Sequence, residues 1–562
     1  MKVVIVGGVA GGASAAARIR RLDENAEIVV FERTGYVSYA NCGLPYYVGG
    51  VITDFDELTL QSPEGFKTRF NVDVKVKHEV VAVRPEQKTV TVKNLETGEC
   101  FEESYDKLIL SPGAKATVPP FPGVDSDRIF TLRTVEDTVK VKKYIEEEHP
   151  ESCVVAGGGF IGLEMAENLA GLGIEVTIVQ MTSHLMNNVD KDIAALIHNR
   201  FKEAGVEVMN DSAVEGFQTV PGCVITQLEG GSGIPSDFVV MAIGVTPETA
   251  LAKEAGIECG LRGSIVVNDR METSVPDIYA VGDAVEVVNR TTGKKDVISL
   301  AGPANKQGRI AADNICGRDS HFKGSAGSSV FKLFDMTVAS TGITSDTADA
   351  MGIAYDRLIV SPSSHADYYP GSETMTIKVL FEKDTLRILG AQIAGYAEVE
   401  KVIDIIATAQ FAGLKVTDLK DLDLAYAPPY SSAKAAVNMI GFVAENIVTG
   451  VVKQFHWDEL PRLMDKDVFL LDARTPEEYA EGHVPGFVNI PVDELRDRMG
   501  EVPKDKPLYI MCQSGIRSYI ANRIMCQNGY DCWNFSGGYR FYNIVNNGYN
   551  GALAAFSCGK ER

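Results

Sequence analysis

Short apolar runs that stop at glycine set the rhythm of the first half of this chain. Val3 to Val6 breaks into Gly7-Gly8-Val9-Ala10-Gly11-Gly12 and an Ala-rich stretch with Arg18, Arg20 and Arg21; a second run, Ile28 to Phe31, ends in Glu32. The pattern recurs where Cys153-Val-Val-Ala enters Gly157-Gly158-Gly159-Phe160-Ile161-Gly162, then a helix through Glu164 and Glu167, then Glu175 to Val179 ending in Gln180. Strand, glycine turn, helix and strand predict an α/β unit that holds a pyrophosphate at the helix N-terminus. Val9 replaces the middle glycine of the first turn, whereas the second is complete.

Later segments have other periods. Tyr105 to Gly113 and Phe238 to Pro247 read as strands that carry the chain between the two units, and Thr273 to Ala280 as a strand entering the turn Val281-Gly282-Asp283-Ala284. From 323 to 445, apolar and polar positions alternate at Ser329 to Phe334, Met375 to Phe381 and Ile388 to Ile393, with helices predicted at Val399 to Gln410 and Ser431 to Val448. That is an antiparallel sheet with helices on one face. Past Gly450 the pattern restarts: Val468 to Leu471 leads to Asp472 and Arg474, and the strand Leu508 to Met511 delivers Cys512-Gln513-Ser514-Gly515-Ile516-Arg517-Ser518 before another helix.

At 562 residues the chain should form several domains. No apolar run is long enough to span a bilayer, and the opening Met-Lys-Val-Val-Ile-Val-Gly-Gly lacks the long apolar region of a signal peptide, so the expectation is a cytoplasmic protein without a membrane partner. A formal net charge of −22 argues against nucleic acid. The ten cysteines have neither C-x-x-C pairs nor histidine spacing suited to zinc, so no metal is expected.

Two cysteines stand in chemical surroundings. Cys42, in Ser38-Tyr-Ala-Asn41-Cys-Gly-Leu-Pro-Tyr46, follows the first dinucleotide unit, where its thiol can face a bound flavin and a helix N-terminus can favour the thiolate. The first unit should hold FAD and the second a nicotinamide. Gln180 stands where an acid would read a ribose 2′-hydroxyl and no arginine follows closely, which favours NADH and leaves NADPH open. Cys512 lies in a six-residue strand-to-helix loop whose backbone N–H groups can stabilise a thiolate or persulfide, with Arg517 adding charge. With Asp472 and Arg474 before it, this loop resembles that of rhodanese domains, many of which carry a basic residue where Gln513 stands, a difference that puts a simple thiosulfate preference in doubt.

Through both glycine fingerprints, Ser111 to Ala114 and Ala280 to Ala284, residues 1 to about 445 resemble the pyridine nucleotide-disulfide oxidoreductases. The next cysteine after Cys42 is Cys100, so the chain is similar to the single-cysteine branch. The string around Cys42, with His365-Ala-Asp-Tyr368-Tyr369-Pro-Gly371 and Ala425-Tyr426-Ala-Pro-Pro-Tyr430-Ser-Ser-Ala-Lys434, resembles coenzyme A disulfide and persulfide reductases more than NADH oxidases. Asp472-Ala-Arg474, Glu481-Gly-His483-Val-Pro-Gly486 and the Cys512 loop resemble a rhodanese domain.

The resemblance implies an FAD domain at 1–115 and 245–322, an NAD(P)H domain at 116–244, a dimerisation domain at 323–448 and a rhodanese domain at 455–562. It implies that Gly7, Val9, Ala10, Gly12, Glu32, Arg33, Val80, Ser111, Gly113, Gly282, Asp283 and Ala301, with Gly157, Gly159, Phe160, Ile161, Gly162, Gln180 and Gly244, hold the two dinucleotides. Coenzyme A, as bound ligand or substrate, would meet Arg18, Arg21, Ser38, Asn41, Gln61, His365 and Lys434. Cys42, Cys512, Tyr368, Tyr426 and Arg517 are the catalytic candidates, the tyrosines reaching the sulfur chemistry from the partner in a homodimer with a shared active site.

The resulting expectation is a flavoprotein that uses NAD(P)H to reduce coenzyme A persulfide, polysulfide or disulfide through Cys42, with Cys512 handling sulfane sulfur. An NADH oxidase or peroxidase that cycles Cys42 through sulfenic acid, and a redox-sensing sulfur carrier, are the alternatives.

Overall fold

The computed structural model describes residues 1–547; Cys558 and the end of the expected rhodanese domain lie outside the described residues. The chain forms two compact units, 1–186 with 204–327, and 187–203 with 328–547.

The first unit contains two five-stranded parallel sheets. One runs in the order Ile278–Ala280, Lys107–Leu110, Lys2–Val6, Glu27–Phe31, Asp73–Lys75. The other runs Glu207–Met209, Glu175–Val179, Ser152–Ala156, Phe238–Met241, Ile129–Thr131. Val3, Val4 and Ile5 are fully buried, as are Val154 and Val155. That explains uninterrupted apolar runs where a half-exposed strand would alternate. In each sheet the strand entering a glycine turn is central, so the turn opens at the carboxyl edge between neighbouring strands, the position at which parallel sheets bind ligands.

Helix Lys191–Glu203 groups with the second unit, within the stretch expected to belong to the nicotinamide domain. The physical reason is ionic. Lys378 Nζ lies 2.8 Å from carboxylate oxygens of both Asp190 and Asp192, and all three side chains are almost wholly buried. Gln392 and Ser345 donate further hydrogen bonds to Asp190. Separating such a cluster leaves an uncompensated buried charge, which costs about 3–5 kcal/mol.

The second unit has an antiparallel sheet in the order Ser329–Leu333, Met336–Gly342, Ile388–Gly395, Thr376–Glu382, Tyr355–Val360. Helices Val399–Ala412 and Ala436–Val448 pack on it around Ile377, Val379, Ile393, Ile406 and Ile440. The second helix begins five residues later than its apolar pattern predicts. Asn438 fixes the start: its side-chain oxygen accepts from Ala435 N at 3.2 Å, and its amide donates to the Leu419 and Leu422 carbonyls at 3.0 Å.

A second sheet in this unit, all parallel, runs Lys453–Phe455, Cys532–Phe535, Leu508–Met511, Phe469–Asp472, Val488–Asn489. This C-terminal domain packs on the sheet of its own chain by covering the edge strand Tyr355–Val360. Ser536 Oγ accepts from Ile359 N at 3.0 Å, Gln454 donates to the Arg357 carbonyl, and the Arg357 guanidinium pairs with Asp458. An exposed strand edge thereby gains partners for its main-chain groups.

Candidate active site

The two glycine turns are built alike. A Cβ on Gly12 would meet the Gly7 carbonyl oxygen at 1.9 Å, and one on Gly162 would meet that of Gly157 at the same distance, so only glycine lets helix and turn approach. Helices Ala10–Leu22 and Phe160–Gly171 start at Val9 and Gly159 without a side-chain cap, whereas Thr134 and Thr475 cap helices elsewhere. Their first N–H groups therefore remain for an anion. A Cβ built on Gly159 would meet nothing within 4 Å, the open space a pyrophosphate needs. Val9 has a φ of −100°, outside the left-handed region that favours glycine, so a branched residue can stand at this position of the turn.

The strand-end residues brace their turns. Glu32 Oε2 accepts from Gly8 N at 2.9 Å, and Oε1 accepts from the amide and hydroxyl of Thr34. Gln180 copies the first contact, its Oε1 accepting from Gly158 N at 2.9 Å, while its amide donates to Thr182 Oγ1. Ser111 N donates to the Val6 carbonyl, Gly282 N to Gln307 Oε1, Glu248 N to the Gly113 carbonyl and Thr117 N to that of Gly244. Asp283 pairs with Arg133, and Arg33 with Glu248 at 3.5 Å. Ala301 opens helix Ala301–Ile315, and Val80 is buried in the antiparallel sheet that contains His78–Arg84. Each of the two turns therefore fits the pyrophosphate of a dinucleotide.

Cys42 occupies the 3₁₀ turn Asn41–Gly43, which is tied to the first glycine turn. Ser38 takes a left-handed φ of +49° and donates its N–H to the Gly8 carbonyl at 2.8 Å, while Leu60 N returns to the Ser38 carbonyl. The residue is exposed, yet the protein atoms crowding it strip enough water to push its thiol up from the usual range; Glu164 and Asp283 add to the rise and Arg133 opposes it. The thiolate expected from a helix N-terminus is therefore not favoured by this chain's own groups: burial first, then the two carboxylates, oppose it, and the following helix, Leu44–Val48, has only five residues.

Glu164 was legible in the sequence only as a helical residue. It receives a hydrogen bond from the Tyr46 hydroxyl, and burial together with the neighbouring Glu167 raises its carboxyl to about 7. Spacing from Cys42 could not reveal it, since the two are 122 positions apart and meet only when the helices Leu44–Val48 and Phe160–Gly171 pack.

The residues expected to meet coenzyme A are divided between the units. In the first, Arg18 is committed to Asp313 through two 2.7 Å contacts, while Arg21 is exposed and bonds the Ala17 carbonyl of its own helix. Ser14, one turn before Arg18, donates to Asn305, a polar pair on facing helices that the motifs did not mark. Gln61 is half-buried before helix Pro63–Phe70. In the second unit, Lys434 is exposed; His365 is buried, its Nδ1 3.1 Å from the Ala366 carbonyl and its ring edge-on to Tyr369, which withdraws it from a ligand in this arrangement. The hydroxyls of Tyr368 and Tyr426 lie 2.7 Å apart, and both side chains are exposed.

Cys512 ends the strand Leu508–Met511 at the centre of the parallel sheet. Its sulfur accepts from Gly515 N at 3.1 Å and from Ser518 Oγ at 3.3 Å. Gly515, with a φ of +105°, gives the loop the left-handed bend that turns this N–H inward. Arg517 donates both terminal nitrogens to Glu478. Burial alone would raise the Glu478 carboxyl, but Arg517 and the Thr475 N–H bring it below the usual range. Glu478 belongs to the capping box of helix Pro476–Glu481, a sequence signal that marks the helix start and not the arginine partner. Cys526 and Cys532, both free thiols, share a hydrogen bond beyond the loop, in helix Ile516–Gln527 and strand Cys532–Phe535.

Among the described residues no group of three or more His, Cys, Asp or Glu could hold a metal ion, and no helix is long and apolar enough to cross a membrane.

Comparison with known proteins follows the same divisions. Residues 1–308 match the pyridine nucleotide-disulphide oxidoreductase family, 328–437 its dimerisation domain and 456–543 the rhodanese-like domain. The coenzyme A disulfide reductase of Staphylococcus haemolyticus is 35% identical over 450 residues, covering 79% of this chain and 100% of that protein. A crystal structure of reduced CoADR-RHD from Bacillus anthracis superposes with a TM-score of 0.95 at 49% identity, covering 97% of this chain and 98% of the other. An NAD-dependent persulfide reductase from A. fulgidus does so with a TM-score of 0.91 at 38% identity, over 96% and 100% of the two chains.

Proposed function

Because the chain belongs to the pyridine nucleotide-disulphide oxidoreductase family and carries the family's dimerisation domain and a rhodanese domain, we propose that it uses NAD(P)H to reduce sulfur–sulfur bonds of coenzyme A, persulfide foremost, through Cys42. The observation that carries this reading is the Ser38–Gly8 bond, which fixes a lone cysteine beside the first dinucleotide turn. The next cysteine after Cys42 is Cys100, in strand Cys100–Ser104 of another sheet, so the second thiol of the cycle is supplied by the substrate.

FAD, when bound, conveys two electrons from the reduced nicotinamide to sulfur. Gly7 to Gly12, Glu32 and Asp283 hold the one dinucleotide, and Gly157 to Gly162 with Gln180 the other. Cys42 attacks the inner sulfur of coenzyme A persulfide, so that the Cys42–S–S–coenzyme A bond forms as the outer sulfur leaves as hydrosulfide. Two electrons and a proton then return Cys42 to thiolate and free coenzyme A thiol. The sum is persulfide, NADH and a proton giving thiol, hydrogen sulfide and NAD⁺.

Ser38 and Asn41 orient the thiol end of the substrate, and Arg21, Gln61 and Lys434 serve its phosphates and adenine. Arg18 takes part by positioning its helix against Asp313. Tyr368 and Tyr426 work as one pair, holding a proton between two hydroxyls and giving it to the departing thiolate at the Cys42 centre of a second subunit. Cys512 carries sulfane sulfur as a persulfide, with Arg517 held in place by Glu478.

Anaerobic stopped-flow turnover of NADH with coenzyme A persulfide, coenzyme A disulfide and hydrogen peroxide, for wild type and Cys42→Ser, tests this reading. Fast, Cys42-dependent oxidation with sulfide release is expected. Turnover with peroxide alone would replace it by the peroxidase reading.

A further inference from the structure

The two guanidinium groups bonded at the Cys512 loop are each matched by a carboxylate. Arg517 Nη1 and Nη2 donate to Glu478 Oε2 and Oε1 at 2.6 and 2.7 Å, and the two side chains are only 17% and 12% exposed. Arg474, fully buried, forks onto Asp472 at 2.8–3.1 Å, and its remaining donors go to the Glu478 and Gly482 carbonyls and to Gln513 Oε1 at 3.4 Å. That last bond turns Gln513, the neutral neighbour of the nucleophile, inward. Arg540 donates its backbone N–H to the Gln513 carbonyl, while its side chain lines a separate cavity with Arg200, Glu203 and Asp367. On the outer side, the helix that leaves the loop exposes Ile516 and Ile520 at 49% and 43%.

We propose that Cys512 takes its sulfur from the terminal atom of an organic persulfide and discriminates against dianionic inorganic donors such as thiosulfate. The inference rests on the reading of Cys512 as a sulfane-sulfur acceptor. A dianion entering a partly buried loop loses its hydration and needs cations with spare charge; here both arginines are already neutralised by partners they would have to abandon. The nest donors, Gly515 N–H and Ser518 hydroxyl, suffice for the single charge that resides on a cysteine thiolate or persulfide, and an apolar rim suits a donor with an organic arm.

The step balances without an added oxidant or reductant. The Cys512 thiolate attacks the terminal sulfur of R–S–SH, the new Cys512–S bond forms as the donor's S–S bond breaks, and RS⁻ departs while the proton stays on the transferred sulfur, leaving Cys512–S–SH.

The test measures thiocyanate formed from cyanide by the full chain, with glutathione persulfide, coenzyme A persulfide or thiosulfate as donor. Wild type should favour the persulfides in kcat/KM by about 100-fold or more, and Glu478→Gln, which releases the Arg517 charge, should shrink that preference about tenfold, the scale of one charge-assisted hydrogen bond. Glu478→Asp keeps the charge and should retain the preference. Equal use of thiosulfate by wild type would overturn the proposal, even if Glu478→Gln failed to fold. So would a folded Glu478→Gln protein whose preference is unchanged. Loss of all transfer in Cys512→Ser with every donor is required as well; transfer that survived it would overturn the reading of Cys512 itself, a distinguishable result.

Discussion

The hydroxyl oxygens of Tyr368 and Tyr426 stand 2.7 Å apart, although 58 residues separate them in the chain. The bond to Tyr426 raises Tyr368, so that the Tyr368 hydroxyl keeps its proton through neutral pH. Replacing either tyrosine by phenylalanine should lower kcat for coenzyme A persulfide by about 10–100-fold, the lower part of the range for a general acid, with little change in KM. Steady-state kinetics on both single variants and the double variant check this. Two losses that multiply would mean that the hydroxyls act separately.

Glu164 should govern how readily Cys42 reacts. Its carboxyl is raised to about 7, so above that pH it is ionised and holds the Cys42 thiol protonated. Glu164→Gln removes the charge and should speed alkylation of Cys42 by iodoacetamide at pH 8. The advantage should fade as pH falls below 7, where wild-type Glu164 carries its own proton. Rates measured across pH 6 to 9 by mass spectrometry of the Cys42 peptide decide the point.

His456 predicts acid sensitivity in the second unit. Burial, then the nearby Arg357, depresses its imidazole from 6.5 to about 3, and its Nδ1 is buried without a hydrogen-bond partner. A base whose folded value is depressed lends stability that is present above 6.5 and lost as pH falls toward 3. His456→Phe should flatten the fall of Tm between pH 6.5 and 4.5; an unchanged slope would assign the acid response to carboxylates.

Nicotinamide choice should follow charge at the end of strand Glu175–Val179. Gln180 is held at both ends of its amide, Met181 beside it is 72% exposed, and no Lys or Arg occurs from 181 to 190. NADH should therefore exceed NADPH in kcat/KM. Met181→Arg should improve NADPH use by about tenfold through one charge-assisted phosphate contact. Failure of both would place the 2′-phosphate elsewhere.

The chain of residues by itself determined the fold class, the two glycine turns and the places of Cys42 and Cys512 in the loops that follow their strands. Each of these is written in local terms: apolar runs of strand length, glycines where helix and turn nearly touch, and a cysteine at the end of a strand. The pairing of Glu164 with Tyr46 and Cys42, of Glu478 with Arg517, and of Tyr368 with Tyr426 was decided only in three dimensions. So was the allegiance of helix Lys191–Glu203 to the second unit through Lys378. Electrostatic and hydrogen-bond partners meet across packed elements separated by tens or hundreds of residues, and neither periodicity nor spacing encodes which carboxylate a packed helix will bring to an arginine or a thiol.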